Sequence, residues 1–145
     1  MAMEFTFDDG GRAAAGFTGR TGDCVTRAIA IASGKPYAEV YAALNELAQM
    51  ERPARGKRSS SRTGVFRKTY HRYLLSLGFR WQACMGIGTG CKVHLRDGEL
   101  PLGKVIARVS KHVCAVIDGV IHDTYDPQRP WGRCVYGYYI LDAKI

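Results

Sequence analysis

The sequence predicts an α+β domain, with N-terminal helices packed on a C-terminal antiparallel sheet of about five strands. Three observations predict it. Up to Gly78 the apolar residues recur at helical spacing, and beyond it they fall in short strand-like runs. An Asp-Gly pair at 118–119 separates two of those runs, a strong local signal for a two-residue hairpin. Helices followed by strands, rather than alternating with them, make α+β the class. The 145 residues contain no internal repeat, which fits one domain over 1–145, long enough to bury a core.

The elements follow in order. A first helix starts near Asp23 or Cys24 and ends at Ser33. Asp23 is the candidate N-cap, Gly34 the stop, and apolar residues all round predict a buried helix. A second opens at Pro36, with Tyr37, Val40, Tyr41, Leu44, Leu47 and Ala48 on one face. A third carries Phe66, Tyr70, Tyr73, Leu74 and Leu77 inward and stops at Gly78. Five strands follow, over 79–85, 103–110, 112–117, 120–125 and 133–141, and "GIGTG" reads as a turn.

The formal net charge is +8, and its distribution matters more than its sum. Arg52, Arg55, Lys57, Arg58, Arg62, Arg67, Lys68 and Arg72 cluster around a Ser-rich stretch, so a flexible basic loop is expected near 52–63. The cluster reads either as a solvated face or as a landing site for nucleic acid or an acidic protein. No apolar run approaches the ~20 residues that span a bilayer. The N-terminus lacks the basic start and apolar stretch of a secretory signal, so a cytoplasmic protein without membrane contact is expected.

The five cysteines are odd in number and widely spaced, which predicts free thiols. Cys91, His94, His112 and Cys114 are too loosely spaced for a zinc pattern, and no metal is expected.

The hairpin can be read residue by residue. With Asp118 and Gly119 as the turn, Ile117 faces Val120, Cys114 faces Asp123, and His112 faces Tyr125. His112, Cys114, Asp123 and Tyr125 then share a sheet face, and His112 and Asp123 are diagonal neighbours. A helix N-terminus favours a thiolate. An imidazole can take and return its proton, and a carboxylate on the other ring nitrogen holds the tautomer. Cys24, His112 and Asp123 can fill these roles. Cys24 alone would read as a small buried residue of the first helix, and Cys91 stands as a second-choice nucleophile.

The order Cys at a helix start, His on a strand, Asp on the next strand resembles the papain-like cysteine peptidases in a small form. "GDCVTRAIAIASG" resembles their nucleophile helix, including that of ovarian-tumour-type deubiquitinases. "KHVCAVIDGVIHDTYDP" resembles the His–Asp hairpin of bacteriocin-processing peptidases and of small phage and bacterial domains of similar layout. The resemblance covers the two motif regions and the order of elements. It implies a papain-like fold and thiol-dependent hydrolysis or transfer at a peptide, isopeptide or other amide or ester carbonyl, with no cofactor. Such peptidases usually carry Gln or Asn a few residues before the nucleophile, and none precedes Cys24 here. The Cys24 backbone N–H is one candidate oxyanion donor. Thr18, Arg20, Thr21 and Gln82 are candidates for another. The alternative is a non-catalytic binding module of phage or bacterial origin, contacting nucleic acid or an acidic protein through its basic segment.

Overall fold

The computed structural model describes residues 2–51, 57–130 and 132–141. Three helices, α1 (Cys24–Ser33), α2 (Tyr37–Ala48) and α3 (Arg67–Ser76), follow a short strand β1 (Glu4–Phe7). The remaining strands are β2 (Phe79–Ala83), β3 (His94–Leu95), β4 (Lys104–Val109), β5 (His112–Ile117), β6 (Val120–Asp123), β7 (Arg133–Cys134) and β8 (Gly137–Leu141). The main sheet has six strands in the order β1-β6-β5-β4-β8-β2, and β3 pairs with β7 apart from it.

The class is therefore α+β, with three differences from the sequence reading, one being the short strand β3. A strand precedes the helices: β1 lies parallel to β6, so the mostly antiparallel sheet has one parallel edge. Its sequence, EFTF, alternates polar and apolar residues as a strand does, a short signal that the sequence reading passed over, and all four residues are exposed. The last expected strand is broken. Cys134 pairs with β3, while Gly137–Leu141 joins the main sheet between β4 and β2.

The hairpin has the expected register, Ile117 opposite Val120 and Ala115 opposite His122. Asp118 and Gly119 take φ of 48° and 82°, the left-handed pair that a type I′ turn requires. The turn is fastened to the start of β4, because the Gly103 N–H donates to Asp118 Oδ1 at 2.9 Å.

The sheet is covered on both faces. On one, α1 and α2 pack against Ile106, Val113, Ala115 and Tyr139. On the other, Val105, Ala107, Cys114, Val116 and Ile121 pack against Leu95, Leu100 and Val135. Alternation along β5 explains the division, since successive side chains point to opposite faces. α1 is buried almost throughout, Arg27 included.

The basic segment is more tied than its composition predicts. Arg52 and Arg55, like Trp131, lie outside the described residues. From 57 to 63 the chain is held by polar contacts. Ser60 and Gly64 exchange backbone hydrogen bonds of 2.7 and 2.9 Å, and the Ser61 N–H donates to Asn45 Oδ1 at 2.9 Å. The serines serve as hydrogen-bonding anchors, a role that composition does not distinguish from solvation.

Free thiols were expected at all five cysteines, and here the structure corrects the sequence. Cys91 and Cys134 form a disulfide, with Cα atoms 5.9 Å apart. Pairing of β3 with β7 sets His94 opposite Cys134 and so brings Cys91 within bonding reach. That removes Cys91 as an alternative nucleophile. Cys24, Cys84 and Cys114 are free.

Candidate active site

Cys24 opens α1, where the first-turn N–H groups have no partners within the helix and the dipole favours negative charge. Asp23 occupies the N-cap position but makes no capping hydrogen bond. Its buried carboxylate instead receives Arg27, one helical turn along, and the Tyr37 hydroxyl at 2.5 Å. The expected cap is thus a buried anchor, because Arg27 competes for the carboxylate from the same helix face.

His112 and Asp123 lie at matching ends of their strands, His112 as the first residue of β5 and Asp123 as the last of β6. By alternation both belong with Cys114 and Ile121, on the face away from α1. They nevertheless meet Cys24 and Arg27, because strand ends bring the two faces together at the rim of the sheet. His112 Nε2 donates to Asp123 Oδ2 at 2.6 Å. The Cys24 thiol lies close enough to the same imidazole and to the Val113 backbone N–H for both to favour its thiolate. With Nε2 held by Asp123, Nδ1 is the ring nitrogen left for chemistry, and it has the Tyr125 hydroxyl at 3.3 Å.

Asp123 is fully engaged. Its Oδ1 accepts from Arg27 Nη2 at 3.0 Å and from the Thr124 N–H at 2.7 Å. Arg27 therefore bridges Asp23 and Asp123 and ties the start of α1 to the end of β6. The sequence reading missed Arg27. Its signal was available: a lone cation in an otherwise apolar helix, four residues after an acid. Arg133 was missed too. It is buried in β7, donating from Nη1 to Pro127 O at 3.1 Å and from Nη2 to Ser110 O. The second contact holds the turn that leads into His112.

The electrostatics favour a charged pair. Burial works against a Cys24 thiolate, but the His112 hydrogen bond, the Val113 N–H and the charges of His112 and Arg27 outweigh it, so its pKa is lowered. Burial likewise opposes His112 protonation, yet Asp123 and Cys24 raise its pKa from 6.5 to about 9. Asp123 is held below the ordinary carboxylate range; burial is outweighed by His112, the Thr124 N–H and Arg27. By contrast, burial pushes the Cys114 thiol far up, so this mid-strand cysteine is core.

Two clefts flank the thiol and share Gly22, Cys24, Lys111 and His112. One, of about 630 Å³, runs toward Asp9, Arg12, Thr21 and Tyr125. The other, of about 380 Å³, runs toward 63–65, Arg67, Tyr70, Arg108 and Tyr136.

The candidate oxyanion donors fare differently. Gln82 is on β2, at the sheet edge three strands from β5, and its amide donates to Ala83 O at 3.0 Å. Position therefore removes it. Thr18 is exposed, lines neither cleft, and gives its carbonyl to Arg62. Thr21 lines the larger cleft, but its hydroxyl donates to Arg62 O at 2.8 Å. The Cys24 backbone N–H belongs to the first turn of α1, where it has no acceptor within the helix.

Of the basic cluster, Arg58 donates to Gln49 O at 3.1 Å and Arg62 to Thr18 O, so both hold the chain. Lys57, Lys68 and Arg72 are exposed, while Arg67 lies 5.0 Å over the Trp81 ring. Among the described residues no group of three or more His, Cys, Asp and Glu side chains could hold a metal ion, and no helix is long and apolar enough to cross a membrane. Comparison of the chain with known protein families, with curated proteins and with solved structures finds no match.

Proposed function

We propose that this protein is a papain-like thiol hydrolase or acyl transferase acting at a peptide, isopeptide or other amide or ester carbonyl. One observation carries the reading: a cysteine at a helix start lines the same open clefts as an imidazole that a buried, fully hydrogen-bonded carboxylate holds. Residues needed only for packing would not require that combination.

The chemistry follows from the pair. The Cys24 thiolate attacks the carbonyl carbon, and the carbonyl π electrons move to oxygen, where the Cys24 N–H can stabilise the charge. As the tetrahedral adduct collapses, the bond to the leaving group breaks and His112 gives its Nδ1 proton to that group. A thioester remains. His112, now neutral, accepts a proton from water or another acceptor nucleophile, which attacks the thioester and releases Cys24 as thiolate. Asp123 stays ionised and keeps Nδ1 aimed at the sulfur.

The test is alkylation of Cys24 by iodoacetamide against pH, with adducts located by mass spectrometry. The expected result is labelling that persists below pH 9 and is faster than at Cys84, whose thiol is pushed up by burial. His112→Ala should return Cys24 to ordinary thiol behaviour. Equal rates at Cys24 and Cys84 would sink the reading.

A second reading rests on the exposed basic face of α3, with Arg67, Lys68 and Arg72: a non-catalytic module binding nucleic acid or an acidic protein. It requires affinity that falls steeply with salt and survives Cys24→Ala.

A further inference from the structure

The smaller cleft differs from its neighbour in charge. The larger carries Asp9 and Asp23 along with Arg12 and Arg27. The smaller is lined by Arg67, Arg108 and Lys111 with no acid. Among the described residues, none of these three cations has a carboxylate within ion-pair distance.

The two arginines are held by aromatic faces. Arg67 sits 5.0 Å over the Trp81 ring and Arg108 5.4 Å over the Tyr136 ring. A guanidinium stacked on a ring is fixed in orientation but keeps N–H donors at its edge, which suits a planar carboxylate. Lys111 lies in the turn immediately before His112, with φ 57°, and lines both clefts. A molecule in the smaller cleft touches this basic wall and the thiol together.

We propose that the smaller cleft is an anion subsite, which selects a carboxylate adjacent to the carbonyl that Cys24 attacks. The assignment rests on the thiol-hydrolase reading and gives it a substrate class: acidic peptides. Their carboxylate comes either from an aspartate or glutamate side chain or from a chain terminus.

The experiment compares two small alkylating agents on the intact protein at low salt: iodoacetate, which carries a carboxylate, and neutral iodoacetamide. In each protein the ratio of their rates at Cys24 reports the subsite, and iodoacetamide at Cys24 against Cys84 reports thiol activation. The wild-type ratio should exceed that at Cys84. Arg67→Gln and Arg108→Gln should each lower it roughly five- to tenfold, the effect of removing one close charge at a partly screened site. Nα-acetyl-aspartic acid α-amide and N-acetyl-alanine, at millimolar concentration, then separate the two sources. Protection of Cys24 by the first and not by the asparagine analogue assigns a side-chain carboxylate; protection by the second assigns a terminal one. A ratio that ignores both substitutions, or protection by neither compound, overturns the subsite. Equal iodoacetamide rates at Cys24 and Cys84 overturn the activated-thiol reading instead, so the two failures are distinct.

Discussion

At the scale of residues, the site is a chain of charges that alternate in sign: Asp23, Arg27, Asp123, His112 and the Cys24 sulfur. Each is buried or half-buried, so each depends on its neighbour, since an unpaired charge in such a place is costly. The pH dependence follows. The His112 pKa is raised in the folded state, so its contribution to stability is complete below about 6.5 and is lost as pH climbs through about 9. The Cys24 pKa is lowered, so its contribution is present above 9.0 and is lost as pH falls through the folded value. Between the lowered thiol pKa and about 9, the ion pair dominates. Asp123→Asn should cost about 3 kcal/mol near pH 6, because it leaves Arg27 and imidazolium without their shared partner. The deficit should shrink near pH 10, where His112 is already neutral and only the Arg27 contact is missing. Urea unfolding at the two pH values measures it, and a deficit independent of pH would contradict the raised His112 pKa.

At the scale of elements, the site depends on where strands end. Asp118-Gly119 fixes the register of β5 on β6, and a slip of one residue would turn His112 and Asp123 to opposite faces. The far side of the sheet has its own constraint. A Cβ at Gly137 would stand 2.3 Å from the Trp81 ring and 2.8 Å from Gln82 O, so β8 accepts β2 only with glycine there. Gly137→Ala should destabilise the fold by about 1–3 kcal/mol, the usual cost of overpacking, and lower the thermal midpoint. An unchanged midpoint would mean that Trp81 does not pack on the β8 backbone.

At the scale of the whole molecule, one covalent link joins distant parts of the chain. The Cys91–Cys134 bond closes a loop with a sequence separation of 43 residues and fastens the β3–β7 pair outside the main sheet. Non-reducing peptide mapping should recover Cys91 and Cys134 in one linked peptide pair. Cys134→Ser should cost about 2–4 kcal/mol, and a smaller deficit under reducing conditions would identify the bond as the cause. A variant as stable as the wild type under oxidising conditions would show that the link contributes nothing.

The local code determined a good deal of this protein. Helical spacing marked all three helices, and Asp118-Gly119 with strict alternation set Cys114 against Asp123 and put His112 within reach. Signals of this kind involve residues close in sequence, where sterics and periodicity act directly. Other features were decided only by tertiary structure. The four residues of β1 alternate polar and apolar, but a run so short does not define a strand until the free edge of β6 pairs with it. The fate of Cys91 depended on the pairing of two-residue strands, and that of Gln82 on strand order across the sheet. Above all, the approach of Cys24 to His112 required α1 to cross the sheet with its N-terminus at the rim where β5 begins and β6 ends. Burial of Arg27 between Asp23 and Asp123 fixes that crossing, and it joins residues 96 positions apart, a distance over which local sequence carries no physical constraint.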